Sequence, residues 1–113
     1  MKFLYKLFLL FQFIFLLSIK LVLANDSGID LDAGQEIFSQ NCSACHAGGK
    51  NVLVQERTLE KETLEKFQMY DVKAIISQVT NGKNSMPAFG DRLSEEDIQN
   101  VANYVFKQSE SGW

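Results

Sequence analysis

The sequence is poor in the residues that build disulfide frameworks and zinc sites. Its 113 residues include two cysteines, one histidine and one proline. Two cysteines cannot form a network of disulfides, and a tetrahedral zinc site needs a fourth ligand that no further Cys or His supplies. No segment shows the alternation of apolar and polar residues that is typical of half-buried strands. These absences argue against a disulfide scaffold, a zinc finger and a β-rich fold.

The first 24 residues have the layout of a secretory signal peptide. A short segment with two lysines, Met1 to Lys6, precedes the uncharged run Leu7 to Ile19, and Val22-Leu23-Ala24 resembles a cleavage site. An uncleaved membrane anchor is the alternative, but a span needs about 20 apolar residues and Lys20 interrupts this one. We therefore expect residues 1–24 to be removed after Ala24 and residues 25–113 to form the functional domain, with no stable membrane insertion after cleavage.

Positive charge is also scarce in the predicted mature chain. Removal of Lys2, Lys6 and Lys20 leaves 8 basic against 14 acidic residues, a net charge of −6 on 89 residues. Nucleic-acid-binding domains and proteins that adhere to anionic lipid normally carry clustered positive charge. The charge argues against both kinds of partner. It fits a single-domain soluble carrier that is steered to its partners at long range, for which we expect a monomer.

Both cysteines and the histidine occur in one pentapeptide, Cys42-Ser43-Ala44-Cys45-His46. The C-x-x-C-H spacing is typical of covalent c-type haem attachment. The thiols of Cys42 and Cys45 can form thioethers with the two haem vinyl groups, and the imidazole of His46 can ligate the iron. A redox dithiol or a lone structural disulfide is the alternative, although the βαβ pattern of a thioredoxin-like site is not visible. The motif predicts one covalently attached haem c.

The remaining signals are helical. Capping residues predict four helix starts, at Asp32, Thr58, Asp71 and Ser94, the last in a capping box with Asp97. Gly82 is expected to end the third helix, because Gly readily adopts the left-handed conformation found there. Apolar stripes mark the buried faces of the last two helices, with Val72, Ile75, Ile76 and Val79 in one and Ile98, Val101, Ala102 and Val105 in the other. We expect an all-α fold with about four helices packed around the haem.

A haem held by His46 needs a second axial ligand on its other face. Outside the predicted signal peptide the chain contains Met69 and Met86. Met69 lies between Phe67 and Tyr70 and is interpreted as an adaptable core residue. Met86 lies in a loop that Pro87 stiffens, and thioether sulfur favours reduced iron. We predict Met86 as the sixth ligand.

These motifs resemble those of the cytochrome c6 family, the class I c-type cytochromes also called cytochrome c-553. The resemblance extends from Asp30 to Trp113. It includes Gly34 with Phe38, Asn41 to Gly49, Thr58-Leu59, Asn81 to Asn84, Met86 to Gly90, Arg92-Leu93, Ala102 to Val105, and Gly112-Trp113.

The resemblance implies a class I cytochrome c fold, thioethers at Cys42 and Cys45, and axial ligands His46 and Met86. It also implies electron transfer from the cytochrome b6f complex to photosystem I in the thylakoid lumen of a plastid or a cyanobacterium. Arg92 is implied to lie near the haem edge used for docking. With both axial positions filled, the protein is expected to be a carrier and not an enzyme.

Three other functions stay open at this stage. A periplasmic cytochrome c-553 that donates electrons to a terminal oxidase would use the same ligands. A haem peroxidase would need a vacant sixth position on iron, and a thiol–disulfide oxidoreductase would use the cysteines without haem.

Overall fold

The computed structural model describes residues 1–24 and 28–113, and within them the regular structure is helical. Over those residues there is no strand, and Lys83 and Met86 form an isolated antiparallel bridge. The helices are α1 Lys2–Ala24, α2 Leu31–Asn41, α3 Ser43–His46, α4 Lys61–Lys66, α5 Val72–Asn81 and α6 Glu95–Ser111, with a 3₁₀ turn at Ala47–Gly49. The all-α prediction is confirmed. The four expected helices correspond to α2, α4, α5 and α6, and α3 is an additional single turn.

Helix α1 coincides with the predicted signal peptide. Side chains of residues 1–18 are exposed, including the large apolar ones. Among the described residues, none of the helices combines the length and the hydropathy that a membrane crossing needs. The cleavage predicted after Ala24 falls beside residues 25–27, which lie outside the described residues, so the signal peptide stays a prediction.

The core is centred on the crossing of α2 and α6. Gly34 of α2 is buried against the backbone carbonyl of Asn100, so closely that a Cβ atom at position 34 would overlap it. Phe38, one turn further along α2, is buried and lies 5.5 Å from the ring of Tyr104 between centroids. The absence of a side chain at residue 34 therefore allows the two helices to approach closely.

Both apolar stripes predicted from the sequence face the core. Ile75 and Val79 of α5 are buried, and Val72 and Ile76 are half-buried against the same cluster. All four stripe residues of α6 are buried: Ile98, Val101, Ala102 and Val105. Full burial of one such aliphatic side chain contributes about 1.5–3 kcal/mol, so these stripes supply a large share of the folding free energy.

Two of the predicted helix caps are confirmed. The Asp71 side chain accepts from the Lys73 amide at 3.4 Å and begins α5. Ser94 and Asp97 form the reciprocal capping box of α6, in which each side chain accepts from the other residue's amide. The predicted end of α5 at Gly82 is also confirmed, because its φ of 71° is left-handed.

The other two caps were wrong. Helix α2 begins one residue after Asp30, whose side chain accepts from the Ala33 amide at 3.0 Å, so Asp32 lies within the first turn. The Asp30 amide donates to the buried Asn100 side chain at 3.0 Å, a contact from α6 that fixes this start. Thr58 donates to the Thr63 hydroxyl at 2.7 Å, and α4 begins only at Lys61 without a side-chain cap.

Candidate functional site

The Cys42–His46 motif follows directly from the end of α2. The Cys42 amide donates to the Phe38 carbonyl at 2.8 Å, and the His46 amide donates to the Cys42 carbonyl at 2.9 Å. The Ser43 hydroxyl donates back to the Ser39 carbonyl at 2.7 Å. These bonds wind the motif into one helical turn, α3. A single turn places residues three and four apart on one side, which brings the Cys45 and His46 side chains near that of Cys42.

The environment of Cys42 is unlike that of a reactive redox thiol. Both cysteines are free and half-buried. Burial, with a smaller contribution from neighbouring Cys45, raises the pKa of the Cys42 thiol to about 11. At neutral pH this thiol is therefore protonated, whereas catalytic dithiols depend on a lowered pKa that yields a thiolate. The environment of Cys42 thus disfavours the oxidoreductase alternative.

The imidazole of His46 is held through one of its two nitrogens. Its Nδ1 lies 2.9 Å from the Lys50 backbone carbonyl oxygen. Because a carbonyl only accepts, Nδ1 carries the proton in this bond and Nε2 is left as the free electron-pair donor. A hydrogen bond of this kind fixes the tautomer and orientation of histidines that bind metals, and raises their basicity. The geometry suits His46 as a ligand through Nε2.

Met86 ends a short turn in which both its backbone amide and its backbone carbonyl form hydrogen bonds. Its amide donates to the Lys83 carbonyl at 2.9 Å, and its carbonyl accepts from the Lys83 amide at 3.0 Å. Gly82 lies behind this turn, where a Cβ atom would come within 2.7 Å of the Met86 carbonyl oxygen. The segment that follows is fixed to the end of α5, since Phe89 donates to the Val79 carbonyl at 2.9 Å. Met86 is therefore positioned by backbone contacts on both sides.

The Met86 sulfur has a polar neighbour that sequence reasoning missed. The Gln78 amide nitrogen donates to Met86 Sδ at 3.6 Å. Gln78 lies on α5 beside the apolar stripe, and nothing in its sequence context marks it as part of a site. Met69, the other methionine considered, packs against the core cluster, as Met86 also does.

Two of the predicted haem-contacting residues lie among the half-buried side chains that pack against the core. Cys42 and Met86 both pack against the central cluster, which places the motif and the methionine loop at the margin of one core. The same margin includes Ile37, Leu59, Met69, Val72, Ile76 and Leu93. An imidazole nitrogen, a thioether sulfur and an apolar border are what a haem iron and its macrocycle require, so the residues present fit this group. Over the described residues, no cluster of three or more His, Cys, Asp or Glu side chains offers another metal site.

Comparison with known proteins gives the same family from sequence and from structure. Residues 30–105 match the family model described as cytochrome C oxidase, cbb3-type, subunit III. Cytochrome c6 of Petalonia fascia is 58% identical over 85 residues, which cover 75% of this chain and 100% of the relative. Cytochrome c6 of Bumilleriopsis filiformis is 61% identical over 84 residues, covering 74% and 98%. The crystal structure of cytochrome c6 from the diatom Phaeodactylum tricornutum superposes with a TM-score of 0.73 at 58% identity, covering 74% and 99%.

Proposed function

Because this chain belongs to the cytochrome c6 family of class I cytochromes c, we propose that it carries single electrons from the cytochrome b6f complex to photosystem I. Family members carry one covalently bound haem c and serve electron transport. A bound haem supplies a reversible one-electron couple at its iron. The proposal also names the haem ligands, the electron donor and acceptor, and the compartment.

We assign the haem contacts to the four residues that the motifs predict. Cys42 and Cys45 form the thioethers, and His46 and Met86 provide the axial ligands. The observation that carries this assignment is the fixed orientation of His46, whose Nδ1 bonds to the Lys50 carbonyl at 2.9 Å and leaves Nε2 for iron. The turn that holds Met86 supports the second ligand, because its backbone hydrogen bonds fix the point from which the flexible thioether side chain extends.

The proposed ligand set also favours a carrier over an enzyme. With both His46 and Met86 as ligands, the iron would have no free position for peroxide or oxygen. A filled site suits outer-sphere transfer, in which no bond to the iron is made or broken. The peroxidase alternative would require Met86 to be absent from the iron.

The proposed site of action is the thylakoid lumen, reached by means of residues 1–24. The apolar helix α1, in which residues 1–18 are exposed, supports this, since it has the length and charge pattern of a secretory signal. Without it the chain carries a net charge of −6, which suits docking steered by electrostatics.

A terminal oxidase is the alternative electron acceptor. Because residues 30–105 match a family model named for an oxidase subunit, the test includes an oxidase as a second acceptor. Reduced protein is mixed with isolated photosystem I, and re-reduction of the photo-oxidised reaction centre is followed after a laser flash. A parallel reaction uses a membrane-bound c-type-cytochrome oxidase. We expect a second-order, salt-dependent rate with photosystem I that far exceeds the rate with the oxidase. A faster rate with the oxidase than with photosystem I would identify the oxidase as the electron acceptor.

A further inference from the structure

The indole of Trp113 connects the end of α6 to the loop that follows the haem motif. Its Nε1–H donates to the Leu59 backbone carbonyl at 2.9 Å, a contact between residues 54 positions apart. The ring is half-buried, with its centroid 5.3 Å from that of Phe38 and 6.2 Å from that of Tyr104. A donor group and two ring contacts therefore fix the indole in one orientation.

The indole also lies directly against Gly49. A Cβ atom at Gly49 would overlap the indole, so the ring occupies the space where a side chain would project. Gly49 has φ of +76° and is buried, and Gly suits this left-handed conformation. The indole therefore covers the turn that leads out of the haem motif.

Hydrogen bonds continue from this contact to His46. The Leu59 amide donates to the Gly49 carbonyl at 2.6 Å, so the residue that accepts from Trp113 also holds the motif loop. The next carbonyl along the chain is that of Lys50, which accepts from His46 Nδ1 at 2.9 Å. Three hydrogen bonds and two covalent connections, one within Leu59 and one from Gly49 to Lys50, thus join the indole N–H to the imidazole. The Lys50 side chain is exposed, and the Lys50 amide donates to the Ala47 carbonyl at 3.3 Å.

We propose that Trp113 is a positioning residue for His46, acting through Leu59 and Gly49 on the Lys50 carbonyl. The inference rests on the proposed role of His46 as an iron ligand. By holding Leu59 and covering Gly49, the indole keeps the Lys50 carbonyl in line with Nδ1–H. A well-aligned acceptor makes the imidazole a stronger donor to iron and stabilises the ferric state. Trp113 thereby influences the electron affinity of the site without touching the haem ligands.

The experiment uses Trp113→Phe in the haem-loaded protein. Phenylalanine keeps an aromatic ring next to Phe38 and Tyr104 but has no N–H for the Leu59 carbonyl. The measurements are solvent exchange of the His46 Nδ1 proton by NMR in the reduced state, and the midpoint potential. We expect exchange about fivefold faster, the factor that corresponds to loss of one net hydrogen bond, together with a higher midpoint potential.

Ser109→Ala is the matched control on the same helix. The Ser109 hydroxyl is buried and donates to the Phe106 carbonyl at 2.6 Å, so its removal also deletes one side-chain hydrogen bond of α6. We expect it to leave both His46 readouts unchanged. If Trp113→Phe leaves either readout at the unmutated value, or if Ser109→Ala shifts them equally, Trp113 is a packing residue only and the proposal is overturned.

Failure of the ligand assignment is detected separately, in the unmutated protein. A spectrum without histidine-ligated low-spin haem would reject His46 as a ligand before any variant is compared. The unmutated spectrum thus tests the proposed function, and the Trp113→Phe comparison tests the positioning role.

Discussion

The side-chain amide of Gln78 donates to the sulfur of Met86 across 3.6 Å. Gln78 is half-buried on α5, and Met86 is half-buried in the loop that follows this helix. The contact places the positive end of an amide dipole beside the atom proposed to bind iron. Such a dipole disfavours the additional positive charge of ferric iron and so favours the reduced state.

Replacement of Gln78 by valine is therefore expected to lower the midpoint potential. A hydrogen bond with a net value of about 1 kcal/mol corresponds to roughly 40 mV for a one-electron couple. Potentiometric titration of the haem spectrum measures the shift. Ser77→Ala, an exposed neighbour on the same helix, is the control and should leave the potential unchanged. An unaltered potential in Gln78→Val would show that the amide does not act on the iron.

The sixth ligand is tested by replacing Met86 with alanine. Loss of the Met86 sulfur should abolish the weak methionine-to-iron absorption band, lower the midpoint potential and allow carbon monoxide or cyanide to bind. Met69→Leu is the control, because it is nearly volume-conserving in the core and should cost less than about 1.5 kcal/mol of stability while keeping the band. A band that survives in Met86→Ala and disappears in Met69→Leu would assign the ligand to Met69 instead. Absence of the band from the unmutated protein would favour the peroxidase alternative.

The two thioethers are tested by the double substitution Cys42→Ser and Cys45→Ser. Haem held only by coordination leaves a denatured protein in acidified acetone, whereas a thioether keeps it attached. We expect extraction of the haem from the double variant and retention in the unmutated protein, read from the absorption of the protein pellet. Ser43→Ala, inside the same turn, should retain its haem. Covalent haem in the double variant would mean that the motif had been misinterpreted.

Docking to photosystem I is tested at Arg92. This exposed residue follows the Met86 loop, and its guanidinium carbon lies 5.5 Å from the centroid of the Phe89 ring. A charge at the rim of an interface mainly changes the association rate and its salt dependence. Arg92→Asp should slow the second-order transfer at low salt, with the spectrum and potential unchanged. Lys107→Asp is the control, because it makes the same change in net charge on the exposed surface of α6. Equal slowing by both variants would mean that net charge, and not the position of Arg92, sets the rate.

Local sequence signals predicted the parts of the fold that depend on neighbours three or four residues apart. The capping box of Ser94 and Asp97, the stripe from Ile98 to Val105 and the end of α5 at Gly82 are of this kind. A helix start depends on one side chain reaching a nearby amide, and an amphipathic stripe follows from the helical repeat. The C-x-x-C-H motif is equally local, because both proposed attachment points and one proposed ligand occupy a single turn.

The incorrect predictions concern positions where a contact outside the capping pattern intervenes. Asp32 has the sequence context of a cap, but the Asn100 side chain binds the Asp30 amide and the helix begins there. Thr58 could cap a helix, yet its hydroxyl donates to Thr63 and α4 begins at Lys61. Local propensities are weak, so the long-range contact with Asn100 decides the start of α2. The contact between Thr58 and Thr63, five residues apart, accompanies the later start of α4.

The sequence by itself determined the helical class and the C-x-x-C-H motif, because residue type and short-range spacing carry that information. It also led to the proposal of Met86 over Met69 as a ligand. The tertiary structure alone decided which groups surround those ligands. The Gln78 amide at the Met86 sulfur, the Lys50 carbonyl at His46 and the Trp113 indole at Leu59 depend on how the helices and loops pack. Backbone carbonyls are the same in every residue, and the contact of Trp113 spans 54 positions, so no sequence pattern marks these partners.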